Sequence, residues 1–290
     1  MAAPDVCPID ARHVKRVRGG AISGCCGGAR VPRPRTVRGP GLTGETGGDV
    51  NSQPFRKIKG LMTGNVYIVE GDELVIVDTG APSDFRIIER QVKRLGRSVE
   101  DIGHIFITHF HVDHAGAAAA LKEASGAAVY AHEADASILA GEEKVQSVYR
   151  TGVIGRVASA VPGVSERMAM VPPVRVDVPL KDGDVVPVLG GMRLIHAPGH
   201  TPGNSCYLWE ERGVLFSGDA IINTYHVLTL PTMGFSCDFD LAARSARSVA
   251  RRVADEDLRA VCPGHGPVVD EDIGGKLERM GRRAGRRLGP

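Results

Sequence analysis

No window of the 290-residue sequence holds the roughly 18 consecutive apolar residues that a membrane-spanning helix needs, so no helical membrane span is expected. The N-terminus is basic but lacks the continuous apolar stretch of an export signal. Cysteine is scarce and unpatterned. Cys7, Cys25, Cys26, Cys206, Cys237 and Cys262 form no CxxC pair and no regular framework, which excludes a disulfide scaffold. Cys206 and Cys262 lie in apolar runs that read as strands, and the cysteines read as reduced, partly buried thiols, which fits a cytoplasmic protein. Excess charge is also missing. The 36 basic and 34 acidic residues leave a net charge of +2, and the arginines crowd toward the two ends rather than forming a central stripe. The expectation is a small-molecule substrate, with no nucleic acid and no membrane as partner and the oligomeric state unassigned.

Hydrophobic residues make up 42% of the chain and charged residues 24%, an ordinary globular balance that supports a large core. Residues 1–50 depart from it. They are dense in Gly, Arg and Pro, as in RVPRPR at 30–35, with neither a helical nor a strand period. Such a segment buries too little apolar surface to offset the entropy of ordering, so disorder is expected there and one domain over 51–290. Two readings of 1–50 compete: a basic arm that touches an acidic partner, or residues outside a natural protein that starts near Val50.

From Phe55 the pattern becomes regular. Apolar runs at 65–69 and 74–77 flank Gly71-Asp72 and predict a hairpin. Phe85, Ile88, Val92 and Leu95 follow a helical period that stops at Gly96. Further strands are expected at 104–107, 127–131, 192–196, 205–209, 214–216 and 259–262. Helices are expected at 115–125, 239–254 and 270–283, before a short Arg/Gly tail. The segment 133–170 reads as an irregular helical lid. The alternation of strands and helices, with hairpins mixed in, predicts a layered α/β domain with mixed sheets.

One run stands out. His109-Phe-His111-Val-Asp113-His114 places four ligand-type residues in six positions, between a strand and a helix. On an extended chain His109 and His111 project to the same side. The helix start then turns Asp113 and His114 toward the same cavity, so one cation can take His109 and His111 and a second Asp113 and His114. Imidazole with carboxylate suits Zn, Fe, Mn or Co. His200 in APGHTPG (197–203), Asp219 in FSGDA (216–220) and His265 in PGHG (263–266) each follow a predicted strand in a Gly-containing loop. Loops at strand ends are where scaffolds carry chemistry.

With THFHVDH at 108–114 and VDTG at 77–80, these motifs give the chain its likeness: from about Phe55 to about Gly275 it resembles the metallo-β-lactamase-fold superfamily. The resemblance implies an αββα sandwich of two mixed β-sheets flanked by helices, with the site along one edge. It implies that His109, His111 and His200 hold a first metal, that Asp113, His114 and His265 hold a second, and that Asp219 bridges both. The cofactor expected is two divalent metal ions, Zn2+ first, with Fe or Mn as alternatives. Asp113 is the expected catalytic residue, orienting the nucleophile. Asp78 either fixes the neighbouring loops or is a plain turn carboxylate.

Departures from particular branches narrow the activity. The chain lacks the long helical C-terminal region of glyoxalase II-like thioesterases, and an acidic residue stands where true β-lactamases carry Cys or Ser. The lactonase-type Tyr close behind the bridging Asp is absent, since Tyr225 comes six positions on. Tyr225 and His226 read first as a surface turn, with pocket residues as the alternative. The expected function is hydrolysis of a small ester-type substrate, a thioester or lactone. A persulfide-dioxygenase-like mononuclear iron enzyme is the alternative, and a nucleic-acid-processing phosphodiesterase a weaker one. Intact peptides from 1–50, found by mass spectrometry in protein isolated from its natural source, would exclude a start near Val50.

Overall fold

The structure is a computed structural model that describes residues 53–58, 60, 61, 63–143 and 171–288. The segment 1–50 and most of the expected lid, from 144 to 170, lie outside the described residues.

Six strands form the first sheet, in sequence order: β1 (Phe55–Lys57), β2 (Tyr67–Val69), β3 (Leu74–Val77), β4 (Ile102–Phe106), β5 (Ala128–His132) and β6 (Val178–Leu180). The first three pair antiparallel, and β3 to β6 run parallel. The second sheet has the order β13-β10-β9-β8-β7. Its strands are β7 (Val185–Val186), β8 (Met192–His196), β9 (Ser205–Trp209), β10 (Val214–Gly218) and β13 (Ala260–Pro263). Only β10 and β13 are parallel neighbours. A separate hairpin, β11 (Ile222–Thr224) with β12 (Val227–Thr229), follows β10.

The period-2 alternation of strand side chains sorts the core into three layers. On β3, Val75 and Val77 face the second sheet, whereas Leu74 and Ile76 face helices. On β9, Tyr207 and Trp209 point between the sheets and Cys206 and Leu208 point away. The inter-sheet layer is rich in aromatic contacts: Phe106 stacks on Tyr130 at 4.5 Å, and Tyr207 meets Phe106 edge-on at 5.0 Å. The Tyr207 hydroxyl donates to the Ile107 carbonyl at 3.0 Å, a polar tie between the sheets inside an apolar layer.

Helices cover both outer faces, completing the αββα sandwich. On the first sheet lie α1 (Phe85–Arg94), the single turn α2 (Val112–Ala115), α3 (Ala118–Ser125) and α4 (Glu133–Leu139). Ile88, Val92 and Leu121 fill that layer. On the second lie α5 (Phe239–Arg252) and α6 (Ile273–Leu288), with Ala246, Val249, Leu277 and Met280 buried beneath. Asp238 caps α5 by accepting from the Leu241 N–H at 2.8 Å. The predicted Arg/Gly tail is part of α6. Gly281 and Gly285 lie beside Ala250 and Arg247 of α5, and the packing of α6 on α5 offsets the low helix propensity of glycine. Among the described residues no helix is long and apolar enough to cross a membrane.

Strand direction positions the site. β3 and β4 are parallel, so their C-terminal ends lie together. β8, β10 and β13 share one direction too, because β9 is antiparallel to both β8 and β10, and β13 is parallel to β10. The segments that follow β4, β8, β10 and β13 carry every predicted ligand, and the loop after β3 carries Asp78.

Tyr225 and His226 form the two-residue turn of the β11–β12 hairpin, at φ of 50° and 65°. Both take the left-handed backbone of a type I′ turn, which disfavours side chains larger than Gly or Asn. Tyr225 is 91% exposed, so burial offers no compensation. Replacing the pair by Asn-Gly should stabilise the protein by about 1 kcal/mol in urea denaturation. An unchanged or lower midpoint would show that the turn carries no strain.

Candidate metal centre

All seven predicted ligands converge on one edge of the sandwich. Three sets of donor atoms each fall within 4.8 Å of one another: His109, His111 and His200; His109, His114 and Asp219; and Asp113, His114 and His265. The His109 and His111 rings meet at 3.1 Å between Nε2 and Nδ1, and His114 Nε2 lies 3.3 Å from His265 Nε2. Asp219 joins the groups. Its Oδ1 is 3.5 Å from His114 Nε2, and its Oδ2 is 3.4 Å from both His200 Nε2 and His265 Nε2.

Each of three imidazoles is turned by a partner on its far nitrogen. His114 Nδ1–H donates to Asp78 at 2.8 Å. His109 Nδ1–H donates to the Thr108 hydroxyl at 3.0 Å, and that hydroxyl donates on to Asp78. His200 Nδ1–H donates to the Ser236 hydroxyl at 3.1 Å. Such contacts set the tautomer and leave the other nitrogen's lone pair facing inward. Inside, His111 Nε2, His200 Nε2 and Asp219 Oδ1 are buried without a hydrogen-bond partner. Buried polar atoms are normally paired. Bare imidazole and carboxylate donors aimed at a shared space fit divalent cations.

Residues outside the recognised motifs complete the frame. Asn65 donates its backbone N–H to the Gly264 carbonyl at 2.7 Å and its side-chain amide to the carbonyls of Pro263 and Gly266 at 2.8 Å, bracketing His265. Tyr67 and Lys57 donate to the same two carbonyls. Gly64 packs against Asp113 and His114, and Gly264 against Asp219 and His114, where a Cβ would collide. Asp135 ties the loops of His109–His111 and His200 together. Its spacing of four from the buried Leu139, on the core face of α4, is a legible signal for a charged residue with partners. Tyr225 lies on the solvent-exposed turn described above.

The two halves of the centre differ in charge. Burial lowers His109, His111 and His200, His200 to about 4, and neighbouring imidazoles add to the effect at His109 and His111. These rings are neutral at physiological pH. Burial also opposes charge on His114 and His265. There the carboxylates win: Asp113, Asp219 and Asp78 raise His114 to about 9, and Asp113 and Asp219 raise His265 to about 10. Burial disfavours ionised Asp113 and Asp219, but the facing imidazoliums hold both well below the usual carboxylate range.

These directions give the metal-free protein a stability maximum. His114 and His265 are raised above their ordinary 6.5, so their stabilisation is complete below 6.5 and is lost as pH rises toward 9 to 10. His109, His111 and His200 are lowered, so the unfolded chain takes up protons below 6.5 that the folded chain refuses, and stability falls with falling pH. The melting temperature of chelator-treated protein should peak near pH 6.5 and decline on both sides between about pH 5 and pH 10. A profile that keeps rising above pH 7 would contradict this distribution of protons.

Comparisons with known proteins agree with the architecture. The sequence pattern of the metallo-beta-lactamase superfamily matches residues 60–265. A Bacillus subtilis protein described as "Probable metallo-hydrolase YflN" is 28% identical over 243 residues, covering 76% of this chain and 87% of that protein. The human acyl-coenzyme A thioesterase MBLAC2 is 30% identical over 213 residues, covering 69% of this chain and 72% of that protein. The fold is similar to the crystal structure of a metallo-beta-lactamase family protein, TTHA1429, from Thermus thermophilus, with a TM-score of 0.61 at 23% identity over 81% of this chain and 80% of that one. With its sandwich, its ligand-lined edge and a family match over most of its length, the chain belongs to the metallo-beta-lactamase superfamily and is a metal-dependent hydrolase.

Proposed function

We propose that the chain is a dinuclear zinc hydrolase acting on a small ester-type substrate, a thioester foremost and a lactone second. The observation that carries the dinuclear reading is Asp219. One carboxylate reaches imidazoles of both triads, His200 on one side and His114 and His265 on the other. In this reading His109, His111 and His200 hold the first ion, Asp113, His114 and His265 the second, and Asp219 both. The thioester preference rests on the likeness to the human acyl-coenzyme A thioesterase.

When bound, divalent cations make hydroxide available near neutral pH and polarise the oxygen of the substrate carbonyl. The chain's own groups do the rest. Asp113 is more open than Asp219, with 30% of its side chain exposed, and its Oδ2 faces His265 at 3.3 Å. That partly open carboxylate is placed to orient the attacking water. The neutral imidazoles of the first triad offer lone pairs without first losing protons. Asp78, through His114 and Thr108, keeps two ligating rings from rotating out of register.

A substrate panel of acyl thioesters, lactones and phosphodiesters, assayed with zinc-reconstituted protein, tests the reading. The expected result is thioester hydrolysis with two zinc ions per chain. Asp113→Ala should lose the second ion and about 10²- to 10⁴-fold in rate while keeping its fold. Unchanged metal content and rate in Asp113→Ala would reject the assignment. A single iron with oxygen uptake on a persulfide would reject the hydrolase reading in favour of an oxidoreductase.

A further inference from the structure

Asp135 is a fully buried carboxylate that takes no part in the centre's ligand set, and it has no cationic partner among the described residues. It lies on α4, outside both ligand-bearing loops, with 1% of its surface exposed. Its bonds nonetheless all go to those loops. Oδ2 accepts from the Phe110 N–H at 3.1 Å and from the Thr201 hydroxyl at 2.8 Å, and Oδ1 accepts from the Gly203 N–H at 2.6 Å. Phe110 separates His109 from His111, and Thr201 directly follows His200.

The two loops belong to different sheets. The first leaves β4 and the second leaves β8. Among the described residues two hydrogen bonds join their bases directly: the Ser205 N–H donates to the Thr108 carbonyl at 3.0 Å, and the Tyr207 hydroxyl donates to the Ile107 carbonyl. Neither tie reaches past Thr108, to the peptides that carry the imidazoles. Asp135 does. Phe110 is then fixed from two directions, its ring in the helix-facing core and its N–H on the carboxylate. Gly203 is required for the approach, because a Cβ there would sit 2.6 Å from the Asp135 Cγ.

We propose that Asp135 is a positioning residue for the first triad, locking the His109–His111 loop to the His200 loop so that three imidazoles from two sheets keep one spacing. The role rests on the metal-site reading above. It also makes a chemical demand that only a carboxylate meets. All three contacts are donors to Asp135, two of them backbone N–H groups that cannot reverse. An Asn at 135 would set its NH2 against the Phe110 N–H in one orientation and against the Gly203 N–H in the other. A side chain that differs by one NH2 for one oxygen therefore keeps the volume and breaks the lock.

The test is competition of the metal-free, full-length protein with a chromophoric chelator for Zn2+, together with Co2+ titration followed by visible absorption. Wild type, Asp135→Asn, Thr201→Val and Thr201→Ser are compared, and the melting temperature of each metal-free variant is recorded. Asp135→Asn is expected to bind the first equivalent about 10- to 100-fold more weakly, with an altered Co2+ spectrum, while the second equivalent changes far less. Thr201→Val, which removes one bond of three, should show a smaller loss of the same kind, and Thr201→Ser should restore it. If Asp135→Asn does not fold, the Val and Ser pair decides alone. Wild-type affinity and spectrum in a folded Asp135→Asn, or in Thr201→Val when that pair decides, would overturn the proposal. So would a fall in metal-free melting temperature with no selective effect on the first equivalent. Failure of the wild type to bind metal would overturn the metal-site reading itself.

Discussion

One buried carboxylate orients much of the metal edge. Asp78 is 2% exposed and accepts from the Thr108 N–H, the Thr108 hydroxyl and His114 Nδ1–H. Through Thr108 it also governs His109. Asp78 sits at a φ of 57°, left-handed for a residue with a side chain. That backbone costs about 1–2 kcal/mol. Hydrogen bonds to a charged group contribute about 1.5–3 kcal/mol each. Three such bonds outweigh the strained residue, so the conformation persists, and with it the inward aim of two imidazoles.

The sheets bring the ligands near one another and the loops bring them together. Five strands of shared direction within their sheets deliver five loops to one edge, and no strand presents a predicted ligand from its interior. Glycines do the close work. Gly64 and Gly264 lie against the Asp113–His114 turn and against Asp219, in spaces that no Cβ can share. Asn65, anchored beside β2, holds the His265 loop by backbone carbonyls alone, so the loop's sequence is read through its shape.

Much of this was legible beforehand, for physical reasons. Strands such as 192–196 and 205–209 are largely apolar runs, and the structure places them at those bounds. The ligand candidates were visible because His and Asp cluster in six positions and recur after predicted strands. What escaped was of two kinds. The end of α6 was hidden because Gly281 and Gly285 are poor helix formers, and the helix is held there by packing on α5, a tertiary matter. Asn65, Ser236 and Asp135 were hidden because each acts on a residue distant in sequence. A polar residue that serves a loop 66 or 198 positions away leaves no local period. Only Asp135 left a trace, as a charge on an apolar helix face.

Asp78 and Asp135 show two ways of burying a carboxylate beside a cationic site. Asp78 faces His114, and its charge raises that imidazole's affinity for a proton as it orients the ring. Asp135 faces only backbone N–H groups and a hydroxyl. Burial pushes its carboxyl up to about 6, held back by those three donors. With no imidazole bonded to it, Asp135 exerts its influence through the positions of the loops it joins. The difference follows the protonation, in the metal-free protein, of the imidazoles nearest each carboxylate. In the metal-free protein, where candidate ligands carry protons, as at His114 and His265, a carboxylate can act on their charge. Where they are already neutral, as at His109, His111 and His200, what remains to be controlled is distance, and a carboxylate bridging two backbones is suited to that.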